Sequence, residues 1–256
     1  MHQAKGDPLV LEQHACPDLE QAVKSISMLR RVPSMADEPL GRVSMEDFRP
    51  STLDKIIGQD LVVSRLRRLA RGIRSGRIAP PSILMHGPPG IGKTTAARAF
   101  GRQVLGEHFA NSFTELKSID DRSVHQLATI ILKFRGAPLR GAPIRILFVD
   151  ELEAPAPDAL NALRPAMEGE GGWTVYVLAC NDLGMLSKAL QSRCMLLEFV
   201  PVAPDDMRRI VTVALSKTPF QLEDRVIESV VQRASGIPRE AIKLLLEEGS
   251  AVCEEA

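Results

Sequence analysis

Residues 84–100 read LMHGPPGIGKTTAARAF, and the fold of the chain turns on them. Two glycines, Gly87 and Gly92, bracket Pro88, Pro89, Gly90 and Ile91, and Lys93, Thr94 and Thr95 follow. Gly87 to Thr94 fill the pattern G-x-x-x-x-G-K-[ST] at every position. With glycine near 7% of residues in an average protein, a chance match in a chain of this size is roughly a 1% event. An apolar run precedes the pattern and a helix-forming stretch follows it, which is the context the chemistry needs. Glycines let successive backbone N–H groups turn inward around phosphates, and the start of a helix adds positive dipole. Lys93 is expected to reach the β- and γ-phosphates and Thr94 to place its hydroxyl on magnesium. A glycine-rich turn without ligand is the weaker alternative.

Such a loop needs a second part to hold the metal and activate water. ILFVDELE, residues 146–153, supplies it. Asp150 ends a strand too apolar to face water and can orient magnesium; Glu151 beside it can polarise an attacking water. A carboxylate pair at that position also reads as a helix cap. Together with the loop it points to a site for ATP or GTP.

Around this pair the sequence alternates. SILMHG, FTEL, IRILFVD, WTVYVLAC and CMLLEFV read as strands. KTTAARAFGRQVLG, SVHQLATIILKF and PDALNALRPAM read as helices, the last with Pro165 near its end. Alternation of this kind implies a three-layer α/β domain with a parallel sheet. After VPVAPDD the strands stop, and DDMRRIVTVALSK, EDRVIESVVQRA and REAIKLLLEEGS form a small all-α unit. The expected organisation is an appendage over 1–44, an ATPase-type domain over 45–200 and a helical lid over 201–256. Within the appendage Leu19, Ala22, Val23, Ile26 and Leu29 follow helical spacing, for a helix that packs on its own domain or docks a partner.

Hydrophobic residues make up 45% of the 256, and 32 basic side chains balance 32 acidic ones. The net charge of zero supplies no global attraction for nucleic acid, so binding of that kind needs a local patch. No run approaches the length that spans a membrane, and the N-terminus lacks the apolar core of a secretion signal. A cytoplasmic protein is expected, or a nuclear one in a eukaryotic cell. The four cysteines are scattered, without a metal-binding spacing; Cys180 and Cys194 flank apolar runs and read as core.

In this order, DFRPSTLDKIIGQD, the phosphate loop, the carboxylates, LACN, LQSRC and SGIPREAIKLL resemble AAA+ ATPases. Within them they resemble the clamp-loader branch, the small subunits of replication factor C, over roughly residues 45–248. The resemblance implies ATP and Mg2+ as cofactors and ATP hydrolysis as the reaction. It places Arg49, Pro50, Ile57 and Gly58 around the adenine. Asn181 becomes the first sensor, on the γ-phosphate and lytic water, and Arg239 the second sensor, reaching ATP from the lid. Arg193 becomes the arginine finger, serving the ATP of a neighbouring subunit. The implied partners are other clamp-loader subunits, a sliding clamp and primer–template DNA.

The pattern also departs from that family. Its small subunits carry a third, helical collar, where this sequence ends at Ala256. GIPR stands closer to the second-sensor segment of the bacterial Holliday-junction branch-migration motor. In the stretch that touches the DNA backbone Arg122 is retained, but Ala128 and Leu132 stand where basic residues are common. That helix offers few charges, so the subunit alone is expected to hold DNA weakly. Lys117, in place of a polar uncharged residue, could reach Glu151 or pair with Asp120 or Asp121. The alternatives to a clamp-loading subunit are a branch-migration type of DNA motor and a regulatory module whose nucleotide controls protein assembly.

Overall fold

Three central strands carry nearly uninterrupted apolar residues, as parallel strands covered on both faces must. The computed structural model describes residues 43–79, 81–117, 141–142, 144–152, 167, 173–219 and 221–254, all within one compact unit, Val43–Ala256. The expected helices near 19–29, 123–134 and 157–167 lie wholly or almost wholly outside the described residues, with Arg122, Ala128, Leu132 and Pro165.

Strands β1 (Ser82–His86), β2 (Phe113–Lys117), β3 (Arg145–Asp150), β4 (Thr174–Cys180) and β5 (Cys194–Glu198) lie in the order β2-β3-β4-β1-β5. All pair in parallel: Ile83 stands opposite Val177 and Met195, Phe148 opposite Val177, and Lys117 opposite Asp150. Successive side chains on a strand point to opposite faces, and the core divides accordingly. Ile83, Met85, Ile146, Phe148, Val175 and Val177 face one layer of helices. Leu84, Leu147, Val149, Tyr176 and Leu178 face the other, with Leu186 and Leu190 packed on them.

The first layer contains α1 (Asp60–Arg74) and α2 (Lys93–Leu105). Helix α1 was not among the expected elements, although Val62, Val63, Leu66, Leu69, Ala70 and Ile73 bury one stripe of it at helical spacing. Helix α2 begins at the lysine of the phosphate loop and is held by Phe100, which is fully buried. A four-residue helix, α3 (Phe109–Ser112), leads into β2, and α4 (Lys188–Gln191) leads into β5. Cys180 is buried as expected. Cys194 is only half-buried, and its burial pushes the thiol pKa up to about 12.

Beyond β5 the chain is helical: α5 (Pro204–Leu215), α6 (Asp224–Arg233) and α7 (Pro238–Glu254). Proline opens α5 and α7, where its missing N–H costs nothing, and Asp205 and Asp206 stand at the positive end of α5. Val202 N donates to Gly236 O at 2.9 Å, closing the lid against its own connection.

Phe100→Ala will remove about 3–5 kcal/mol of stability, the usual result of emptying a buried aromatic site. Urea unfolding followed by circular dichroism measures it; a loss below about 1 kcal/mol would mean that α2 is not anchored through this ring.

Candidate nucleotide site

Parallel α/β sheets bind ligands beyond the carboxyl ends of their strands, where the strand order reverses. Here β1 is that point: the chain leaves it for the β2 edge and later returns to both of its sides. The loop after β1, the carboxylates after β3 and Asn181 after β4 therefore meet.

Lys93 is 7% exposed. Its ammonium donates to Gly87 O at 2.6 Å, Pro88 O at 2.9 Å and Asn181 Oδ1 at 2.7 Å. Thr94 Oγ1 donates to Asp150 Oδ2 at 2.6 Å. These bonds join the three strand ends into one cluster. The hydroxyl and carboxylate oxygens are hard donors suited to magnesium, which takes one or two carboxylates and completes its shell with phosphates and water. No group of three or more His, Cys, Asp or Glu occurs among the described residues that would hold a metal by protein alone.

Glu151 has φ of +54°, a left-handed conformation for a residue with a side chain. Its N–H donates to Asp150 Oδ1 at 3.0 Å, and the next residue returns to the sheet through Leu152 N to Ala179 O at 2.8 Å. The chain thus bonds to β4 again one residue after the end of β3, across a single twisted residue whose exposed carboxylate lines the cavity. Strain of this kind is concentrated at functional sites.

The cavity measures about 390 Å³, within the range of small-molecule sites. Pro89, Gly90, Ile91, Gly92, Lys93, Thr94 and Thr95 form its floor, and Asp150, Glu151 and Asn181 one end. Pro50, Ile56 and Ile57 give it an apolar lining with Met45 and Phe48, and Ile210, Val213, Ala214 and Ile242 of the lid add to it. Arg49, Lys55, Lys93, Lys217, Arg239 and Lys243 line it, against the two carboxylates Asp150 and Glu151. This surplus of positive charge favours a polyanion.

Several of the expected residues are placed differently from the rest. Gly87 and Pro88 do not line the cavity; their carbonyls accept from Lys93 instead. Gly58 does not line the cavity. It has φ of +77°, and a Cβ there would come within 2.6 Å of Val202 Cγ1, so its smallness serves the crossing from β5 to the lid. Its neighbour Gln59, 5% exposed, donates Nε2 to Val200 O at 2.7 Å and fastens the same crossing. Arg193 is exposed, donates Nη1 to Ala189 O at 2.7 Å, and is not among the residues lining this cavity. Lys117 ends β2 opposite Asp150.

Arg239 lies at the start of α7, and its N–H donates to Gly90 O at 3.3 Å. Gly90, at φ +77°, is closely covered: a Cβ would sit 3.0 Å from both Arg239 Cβ and Ile237 Cγ2. The lid therefore rests on the phosphate loop itself.

Sequence reasoning missed the brace behind the apolar wall. Arg98 of α2 donates Nε and Nη2 to Glu115 of β2 at 2.8 and 3.0 Å, and pairs through Nη1 with Glu46. Glu46 also pairs with Arg49 Nε at 2.7 Å. The Glu115 carboxylate raises the Arg98 pKa above its usual value. Asp47, lowered by hydrogen bonds from the Ser44 N–H and hydroxyl, offers its backbone oxygen to Lys217 Nζ at 2.7 Å. Neither link has a motif that marks it; both join residues far apart in sequence.

Residues 83–202 match the ATPase family associated with various cellular activities (AAA). The replication factor C small subunit of Methanothermobacter thermautotrophicus is 34% identical over 201 residues, covering 78% of this chain and 61% of that protein. That of Archaeoglobus fulgidus is 34% identical over 212 residues, covering 82% and 64%. The chain thus spans just under two thirds of the length of these relatives. Among solved structures, a point variant of Thermotoga maritima RuvB superposes with a TM-score of 0.65 at 26% identity, over 77% of this chain and 64% of that one. The fold has further likeness to the RuvB Holliday junction branch migration motor of the same organism, with a TM-score of 0.64 at 25% identity. No helix among the described residues is long and apolar enough to cross a membrane.

A left-handed Glu151 gives a direct test of the twist. Glu151→Gly will be more stable than Glu151→Ala by about 1 kcal/mol, because a Cβ is penalised in this region. For a domain of this size that is a difference of about 2–4 °C in Tm. Equal melting temperatures would mean that the backbone at 151 is relaxed in solution.

Proposed function

We propose that the chain is an ATPase of the AAA kind, which binds ATP with magnesium and hydrolyses it as one subunit of a clamp-loader-like ring acting on a sliding clamp at primer–template DNA. The observation that carries the hydrolytic part is the pair of bonds Thr94–Asp150 and Lys93–Asn181, at 2.6 and 2.7 Å. They bring a phosphate lysine, a metal hydroxyl, a metal carboxylate and a polar amide to one cavity end. The proposed domain limits are 45–200 for the ATPase part and 201–256 for the lid.

Each residue has a definable task. Loop N–H groups from Gly90 to Thr95 cradle the phosphates, and Lys93 neutralises the β- and γ-phosphate oxygens. Thr94 and Asp150 would hold magnesium, which spreads the charge developing on those oxygens. Glu151 takes the proton of a water whose oxygen bonds to the γ-phosphorus. The bond from that phosphorus to the β-phosphate oxygen breaks, and ADP leaves with the electron pair. Asn181 orients the water from the far side. Arg49, Pro50 and Ile57 with Ile210, Val213 and Ile242 enclose the base, and Arg239 follows the phosphates from the lid.

Arg193, exposed and outside its own cavity, fits a finger that completes the site of a neighbouring subunit. The clamp-loader assignment rests on the replication factor C relatives, which match at higher sequence identity than the RuvB structures. A branch-migration role is the second reading, favoured by the RuvB superposition.

Lys93→Ala will abolish nucleotide binding, and Glu151→Gln will retain binding while losing turnover; wild-type hydrolysis by Glu151→Gln would refute the catalytic assignment. These are read by calorimetric titration with ATP and by phosphate release. Arg193→Ala will bind ATP yet hydrolyse about 10³-fold slower, the smaller effect typical of arginine fingers. Mixing it with Lys93→Ala will restore part of the activity, since one interface then pairs an intact cavity with an intact finger. Mixtures that stay inactive while the subunits associate, as shown by analytical ultracentrifugation, exclude the shared site.

A further inference from the structure

Helix α1 carries the sequence DLVVSRLRRLARGIR and is followed by SGR. Its six arginines, Arg77 included, have almost no acidic counterpart on the helix itself, whose acidic residue is Asp60. Arg67 is engaged, bonding Asp54 Oδ1 at 2.6 Å. Arg65, Arg68, Arg71, Arg74 and Arg77 are exposed, and none of them has an ion pair among the described residues. In a chain of zero net charge, this is a concentrated positive surface.

The arrangement is fixed rather than loose. From Arg65 the arginines recur every three residues, so each step rises about 4.5 Å and turns about 60° around the helix. The ridge climbs diagonally over the face opposite the buried stripe. Beyond Arg74 the chain folds back: Arg77 N and Ile78 N donate to Gly72 O at 3.1 and 3.3 Å. Ile78 occupies the space of a missing side chain, since a Cβ on Gly72 would lie 2.2 Å from Ile78 Cδ1. This fold-back ties the backbone of Arg77 to the last turns of α1. None of these arginines lines the nucleotide cavity.

We infer that the exposed face of α1 and its turn bind the phosphate backbone of duplex DNA, without sequence preference and independently of the nucleotide. The charged residues of the ridge are all arginine, whose planar fork matches phosphate oxygens in pairs. No aromatic side chain stands among them, so the stacking on which single-strand binding relies is missing. The apolar stripe of α1 is consumed by the core, so the helix cannot sink into a lipid surface. The arginines belong to a different part of the sequence from residues 123–134, a stretch poor in basic residues where DNA contact is expected. It goes beyond the clamp-loader reading, since it needs neither a ring nor ATP.

The test is a salt titration of a fluorescent 20-base-pair duplex, from 50 to 200 mM KCl without nucleotide. The protein is the full chain, compared with a variant combining Arg65→Ala, Arg68→Ala, Arg71→Ala and Arg77→Ala. Each duplex phosphate neutralised contributes about 0.9 to the slope of log affinity against log salt. The variant is expected to be shallower by about three to four units. The wild type should therefore lose about 100-fold more affinity across that range. Alanine favours helix at the three helical positions, and an unchanged Tm and ATP affinity will show that fold and cavity are intact. A second variant with lysine at the same four positions keeps the charge and will keep the slope to within about one unit. Equal slopes for wild type and alanine variant overturn the inference, as does binding to poly-glutamate with none to duplex. Neither result bears on ATP hydrolysis, which the Lys93 and Glu151 variants test separately.

Discussion

A nearly buried ammonium organises this molecule. Burying a charge is costly unless its hydrogen bonds are satisfied, and Lys93 meets the requirement with Gly87 O, Pro88 O and Asn181 Oδ1. Two of those acceptors belong to the loop after β1, and the third follows β4. They can converge because β1 and β4 are adjacent and parallel, with His86 opposite Cys180 at their ends. The sheet order thus determines which side chains can satisfy the lysine, and the lysine in turn holds the loop in its curved form.

The walls of the cavity depend on a second set of constraints, between segments rather than strands. Glu46 receives both Arg49 and Arg98, so the stretch around Phe48 is tied to α2 and, through Glu115, to β2. Lys217 ties the same stretch to the end of α5. Gln59 and Gly58 secure the crossing at Val200 and Val202. The apolar wall on which a base would lie is therefore braced by the phosphate side of the site on one hand and by the lid on the other.

The sheet, the phosphate loop and the carboxylates were legible because each is local. Seven or eight consecutive residues specify the loop, and an apolar run ending in Asp150 specifies a strand end. Helix α1 was equally legible from its buried positions but carried no motif to draw notice. Gly58 shows the opposite limit. Its place in the motif suggested the adenine, whereas its orientation is decided by Val202, more than a hundred residues later. Lys217, Ile210, Val213 and Ile242 could not be read as cavity residues, since their spacing only says helix and the packing of the lid selects the face. The left-handed turn at Glu151 was likewise hidden, because nothing in DELE distinguishes it from an ordinary strand end.

The contact between Gly90 and the start of α7 has a consequence for endurance rather than chemistry. The cavity is assembled from three stretches of chain, around residues 45–57, 89–95 and 210–243, and whatever fills it cross-links them. A ligand at 100 times its Kd adds about 2.7 kcal/mol to the folded state. Because the ligand touches the lid and the α/β layer together, that gain opposes their separation directly. Nucleotide supply then sets how often the lid lifts, and with it how readily a protease finds the crossing at residues 199–203.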